Sequence, residues 1–159
     1  RFFYFINLAN FRFKFLKMNK EAIKKIAEEL IPVHKFLGLK IIELQKGYVK
    51  VKVPYRPEVV GDFRNNYWHG GMLATVMDSV GGIVGSTYSS STKDKMATID
   101  LRVDYLTAAK SKTIIVEGEL VRLGKRIMVT RMKTYIEGED QLIAEGKGVY
   151  SFIRTKKIE

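Results

Sequence analysis

The stretch His69-Gly70-Gly71-Met72-Leu73-Ala74-Thr75-Val76-Met77-Asp78-Ser79-Val80-Gly81-Gly82 decides how this chain is read. Two glycines open an apolar run, and a single carboxylate follows nine residues after the histidine. The run predicts a helix over about 70–88, apolar nearly all round and so a core helix. Glycine at a helix start lets a ligand approach free N–H groups, and the dipole there favours negative charge. An aspartate among Met77, Val80 and Ile83 is costly to bury without partners or chemistry. Gly81, Gly82 and Gly85 each cost about 1 kcal/mol against alanine inside a helix. Close approach of a partner helix or of a ligand would account for them.

After this helix come four strand-like runs, over about 96–107, 112–123, 126–137 and 141–154. Lys110-Ser-Lys, Gly124-Lys125 and Gly138-Glu-Asp140 separate them. Before it, Leu39–Leu44 and Tyr48–Pro54 flank Gly47 as a hairpin. Residues 55–68 read as a loop. The order β–β–helix–β–β–β–β predicts an α+β domain with an antiparallel sheet and one segregated long helix. Asn19 is a good N-cap for a helix over about 20–31, with Ile23, Ile26, Ala27 and Leu30 on one face and Pro32 as its limit.

Residues 1–17 are aromatic, basic and free of acids. They read as an extension that is not native, with Met18 as the natural start of a single domain over 18–159. Catalysis is expected to do without them, although six phenylalanines would favour packing on the sheet or on a neighbouring subunit. With 159 residues the chain suits one domain. It has no cysteine, so disulfides and thiolate metal sites are excluded. His34 and His69 are too scattered for a zinc site, and no metal or organic cofactor is expected. No segment has the length of a membrane span. A net charge of +11 fits an anionic partner. Nucleic acid, a lipid surface and a phosphate-bearing ligand all satisfy that condition. Residues 1–38 offer one convincing helix, too little for a helix-turn-helix, and nucleic acid is not the expected partner.

His69-Gly70-Gly71 with Asp78 nine positions on resembles the hotdog-fold acyl-CoA thioesterases, in particular the branch containing the phenylacetate-degradation thioesterase. Thr98-Ile-Asp-Leu-Arg-Val-Asp-Tyr resembles the family's next strand. The resemblance covers about residues 35–155. It implies a sheet wrapped around the long central helix, a cytoplasmic enzyme and an acyl-CoA substrate. A homo-oligomer follows too, either a dimer or a homotetramer made of two dimers. The alternative is a non-catalytic hotdog module that binds or senses acyl-CoA.

By that resemblance Asp78 is the general base or the nucleophile, and the Gly70 N–H is the oxyanion donor. Read from the residues alone, Asp78 is equally a structural carboxylate and the glycines a tight turn. His69 is expected to position loop and substrate. Thr98 either holds the attacking water or orients Asp78, with plain strand propensity as the alternative. Gly71 and Gly82 leave room for substrate. Many relatives carry an asparagine six residues before the histidine. Phe63 stands there in this chain, so Asn65 and Asn66 are the candidates for its task. Coenzyme A phosphates would meet basic loop residues, with Arg64, Lys110, Arg122, Lys125 and Arg126 as candidates.

One spacing carries a further expectation. Gly70 and Asp78 lie eight residues apart, about 12 Å along a helix at 1.5 Å per residue. One carbonyl carbon must sit roughly 3 Å from both the oxyanion donor and the attacking group. One helix cannot supply both, so Gly70 of one chain should face Asp78 of another across a two-fold interface.

Overall fold

Asn19 begins the first helix as its chemistry dictates. In the computed structural model, which describes residues 18–155, its side chain accepts the Ala22 N–H at 2.8 Å and caps α1 (Lys20–Lys25). The N-terminal extension lies outside the described residues. The expected helix over 20–31 departs from α geometry at Ile26–Leu30, which form a π-helical turn closed by Ile31 N–H to the Ile26 carbonyl. That wider turn rotates the apolar face: Ile23 and Ala27 are buried, whereas Leu30 is exposed. Pro32 limits this segment and also starts α2 (Pro32–Leu37), a helix the sequence reading did not anticipate. A proline at the first helical position loses no hydrogen bond, and Ile31 before it is extended as proline requires. Gly38, left-handed at φ 67°, closes α2. Glu28 ties the N-terminal helices to the sheet, accepting the Ile41 N–H at 2.8 Å and pairing with Lys40 at 3.0 Å.

His34 of α2 is buried and its Nδ1 lies 2.9 Å from the Ala27 carbonyl, a geometry in which Nδ1 carries the proton. Burial lowers its pKa from the ordinary 6.5, outweighing the opposite pull of the Ala27 carbonyl. The unfolded chain therefore binds a proton more tightly than the folded one at this site. Stability should be fully present above pH 6.5 and fall below it. His34→Gln should flatten that loss, read as a smaller drop in Tm between about pH 7.5 and about pH 5.5 than in the parent. Parallel Tm curves for both proteins would exclude His34 as the cause.

β1 (Lys40–Gln45) and β2 (Tyr48–Val53) form the expected hairpin around Gly47 at φ 81°. The segment expected as plain loop holds a 3₁₀ turn (Pro57–Val59) and a small ribbon of β3 (Val60–Asp62) and β4 (Tyr67–Trp68). Then come α3 (Gly70–Ser86), β5 (Lys95–Tyr105), β6 (Ile114–Leu123), β7 (Ile127–Ile136) and β8 (Leu142–Ile153). The main sheet has six strands, all paired antiparallel, in the order β1-β2-β6-β7-β8-β5. It wraps around α3, which is the hotdog fold.

The helix is buried on one side only, contrary to the expectation of a helix buried all round. Leu73, Val76, Met77, Val80 and Val84 are fully or nearly fully covered, while Thr75, Asp78, Ser79, Gly82 and Ser86 are half-buried. Two of its glycines are explained by packing within the chain. A Cβ at Gly81 would collide with the Tyr150 hydroxyl, and one at Gly85 would lie 2.6 Å from Met128 Cε. No helix among the described residues is long and apolar enough to cross a membrane.

Candidate active site

The site begins at the helix N-terminus. His69 is the N-cap of α3, and its Nδ1 accepts the Gly71 N–H at 2.9 Å. The histidine thus holds the first turn of the helix, and it occupies the amide of Gly71. Gly70 stands one residue earlier, where no carbonyl lies a helical turn behind, and its N–H has no acceptor among the described residues. Tyr105 at the end of β5 donates from its hydroxyl to the Gly70 carbonyl at 2.7 Å. This contact fixes the glycine against the sheet, and no sequence pattern announced it. His69, Gly70, Tyr105 and Trp68 line a cleft of about 500 Å³.

Asp78 lies two turns on and opens elsewhere. With Thr98, Gly82 and the N-terminal helices it lines a separate cavity of about 310 Å³. The Thr98 hydroxyl donates to Asp78 Oδ1 at 2.8 Å, so the two residues expected to work together do meet. A β-bulge between Thr98 and Asp100 breaks the pairing of β5 with β8 beside this contact. Bulges re-aim side chains, and this one sits where Thr98 must turn toward the helix.

Tyr150, which the sequence reading missed, supports the same turn from below. Its hydroxyl donates to the Asp78 carbonyl at 3.1 Å. Burial and the neighbouring Asp78 charge hold the phenol above its ordinary range, so it stays a proton donor. A buried tyrosine needs a hydroxyl partner, but its strand position alone does not say which one.

Other expected residues fall outside the two cavities. Asn65 donates to Asp62 at 2.8 Å in an exposed turn, and Asn66 is left-handed at φ 53° with its carbonyl bound by Ser111. Neither lines the two cavities: the Asn65 side chain is turned onto Asp62, and Asn66 is held through its backbone carbonyl. Phe63 is 83% exposed. Arg64 spends its guanidinium on Asp62 at 3.7 Å. No cluster of three or more histidine, aspartate or glutamate side chains able to hold a metal occurs among the described residues.

A family model of the thioesterase superfamily matches residues 65–143, from the turn before β4 into β8. The medium/long-chain acyl-CoA thioesterase YigI of Salmonella typhimurium is 30% identical over 147 residues, covering 82% of this chain and 94% of that protein. The chain belongs to the thioesterase superfamily. A second relative of this superfamily member, a putative esterase of Saccharolobus solfataricus, is 27% identical, covering 86% of this chain and 94% of its own. Solved structures agree on the fold. A Shewanella oneidensis protein related to the thioesterase superfamily aligns with a TM-score of 0.72 at 29% identity, covering 82% of this chain and 93% of its own. A thioesterase family protein of Silicibacter pomeroyi aligns at 0.77 and 22% identity, covering 85% and 98%. The superfamily assignment makes hydrolysis of a thioester the chemistry against which Asp78 and Gly70 are to be judged.

Proposed function

We propose that this protein hydrolyses acyl-CoA thioesters to free acid and coenzyme A, with Asp78 as the attacking group. The carrying observation is the Asp78 carboxylate, held by Thr98 at 2.8 Å on the wall of a largely apolar cavity. Thr98 engages Oδ1, which leaves Oδ2 to face water or the thioester carbon. As general base, Asp78 takes a proton from water while the resulting hydroxide adds to the carbonyl carbon. Collapse of the tetrahedral intermediate breaks the C–S bond, and the departing thiolate recovers the proton. As nucleophile, the carboxylate adds directly, expels the thiolate and forms an anhydride that water then opens. In both routes the Gly70 N–H holds the developing oxyanion.

The two halves come from different chains in this proposal. Gly70 and Asp78 line separate cavities of one chain, in keeping with their spacing along the helix. β5 offers the means of joining: it is an 11-residue edge strand without proline, and Ile99 and Tyr105 on it are 57% and 52% exposed. Such an edge invites pairing with another chain. Antiparallel pairing of β5 with its own copy about a two-fold axis would bring the second helix N-terminus toward Asp78. A dimer, or two dimers assembled into a tetramer, is the expected state. The likeness of His69-Gly-Gly to the phenylacetate-degradation branch and the name of the YigI relative both support a coenzyme A thioester as substrate, and with it the cytoplasm as the proposed place of action.

The direct test is release of free thiol from a panel of acetyl-, butyryl-, octanoyl-, palmitoyl- and phenylacetyl-CoA. Turnover of about 1 s⁻¹ or more on any of them is expected without added metal, within the ordinary range for enzymes. Binding of these thioesters with no thiol release would make the protein a sensor instead.

A further inference from the structure

Among the described residues, nothing requires glycine at position 82. Its φ lies outside the left-handed region, and among the described residues a Cβ built there would meet only Met96 Cε, at an ordinary 3.8 Å. At Gly81 and Gly85, by contrast, a Cβ would fit only if Tyr150, Met96 or Met128 moved. The missing side chain at 82 therefore leaves empty space, and that space belongs to the Asp78 cavity.

The cavity follows one stripe of α3, touching Asp78, Ser79, Gly82, Ile83 and Ser86. From Asp78 to Ser86 the stripe rises through eight residue steps, about 12 Å of helix. Opposite it stands a wall made by the π-helical turn and its neighbours, including Ile23, Ile26, Ile31 and Val33. The hydroxyls on the stripe are already spent on their own helix: Ser79 donates to the Thr75 carbonyl at 2.8 Å and Ser86 to the Gly82 carbonyl at 3.3 Å. His34 gives its Nδ1 proton to Ala27 and, with its pKa lowered, adds no charge at neutral pH. The result is an apolar slot that starts at the carboxylate and offers a ligand few donors along its length.

We infer that this slot takes the unbranched hydrocarbon part of the acyl group, running from Asp78 past Gly82 beneath the N-terminal helices, and that Gly82 sets the chain length accepted. The inference rests on the acyl-CoA reading above and names the substrate class that reading leaves open. The geometry favours an alkyl chain over a polar or hydroxylated acyl group, because a methylene chain loses nothing against walls whose donors are already bound.

The test uses the full chain. Gly82→Leu puts a side chain into the slot, and the ratio of kcat/KM for octanoyl-CoA to that for butyryl-CoA should fall at least about tenfold, the scale on which single methylenes are discriminated in apolar pockets. Ile26→Ala enlarges the opposite wall, and the ratio for palmitoyl-CoA over octanoyl-CoA should rise. Both ratios unchanged in folded variants would overturn the inference. So would a preference for hydroxyacyl over alkyl thioesters, which would set a polar group against the second ring nitrogen of His34. A change in oligomeric state on Gly82→Leu with chain preference intact would likewise overturn it, since the stripe would then pack against a second copy. Titration of an Asp78→Asn protein with octanoyl-CoA and with coenzyme A alone separates this inference from the hydrolytic reading. Tighter binding of the acylated ligand, lost on adding Gly82→Leu, supports the slot even where no hydrolysis is measured.

Discussion

Asp78→Asn should lower turnover of the best acyl-CoA substrate by roughly 10⁴- to 10⁶-fold, the range seen when a catalytic-triad residue is removed from a hydrolase. Asparagine has nearly the same shape, and its side-chain oxygen still accepts the Thr98 hydroxyl that Asp78 accepts at 2.8 Å. It cannot take a proton from water or form an anhydride. Asp78 is half-buried and its backbone carbonyl keeps the Tyr150 contact, so the fold should survive with Tm near that of the parent. Thermal melts and steady-state rates measured side by side decide the matter. Turnover within about threefold of the parent, with the same Tm, would reduce Asp78 to a structural carboxylate and remove it from the mechanism.

Two inactive proteins should restore each other. Asp78→Ala removes the attacking group, and Gly70→Pro removes the oxyanion N–H at a helix position where proline's ring is otherwise tolerated. The Tyr105 ring, 3.3 Å from a Cβ at Gly70, must give way slightly in the second variant. If each site combines Asp78 of one chain with Gly70 of its partner, a mixed dimer holds one site with both groups intact and one with neither. Equal mixing makes about half of the dimers mixed, so roughly a quarter of parental activity should return. The measurement is turnover after subunit exchange, with exchange confirmed by differently tagged chains. Absence of recovery in exchanged samples would place both groups of each site on one chain.

Much of the fold was legible in local chemistry. The alternation in Tyr48–Val53 marked a strand with one buried face, and the structure buries Val49, Val51 and Val53 completely. The Asn19 cap, the Gly47 turn and the four late strands were readable for the same reason: each depends on residues close together in sequence. The second helix, α2, was not, because Pro32 is compatible with both an end and a beginning and only packing of His34 and Leu37 chooses between them. The π turn escaped notice too, since its phase shift is visible only in which of Ile26, Ala27 and Leu30 the sheet covers.

The site divides along the same line. His69, Gly70, Gly71 and Asp78 lie on one helix and its cap, so their order and spacing follow from sequence alone, as does the expectation that one helix cannot present both proposed groups to one carbonyl. The partners of those groups come from strands distant in the chain. Thr98 reaches Asp78 through a bulge in β5, Tyr105 fastens Gly70 from that strand's far end, and Tyr150 supports the helix from β8. No spacing rule predicts such contacts, because they depend on strand register and on how closely glycine lets the helix approach the sheet. Tertiary structure also turned Asn65 onto Asp62 and tied Asn66 to Ser111 through its backbone carbonyl, so neither asparagine lines the two cavities. It decided, finally, which glycines of α3 meet packed side chains and which one borders the Asp78 cavity.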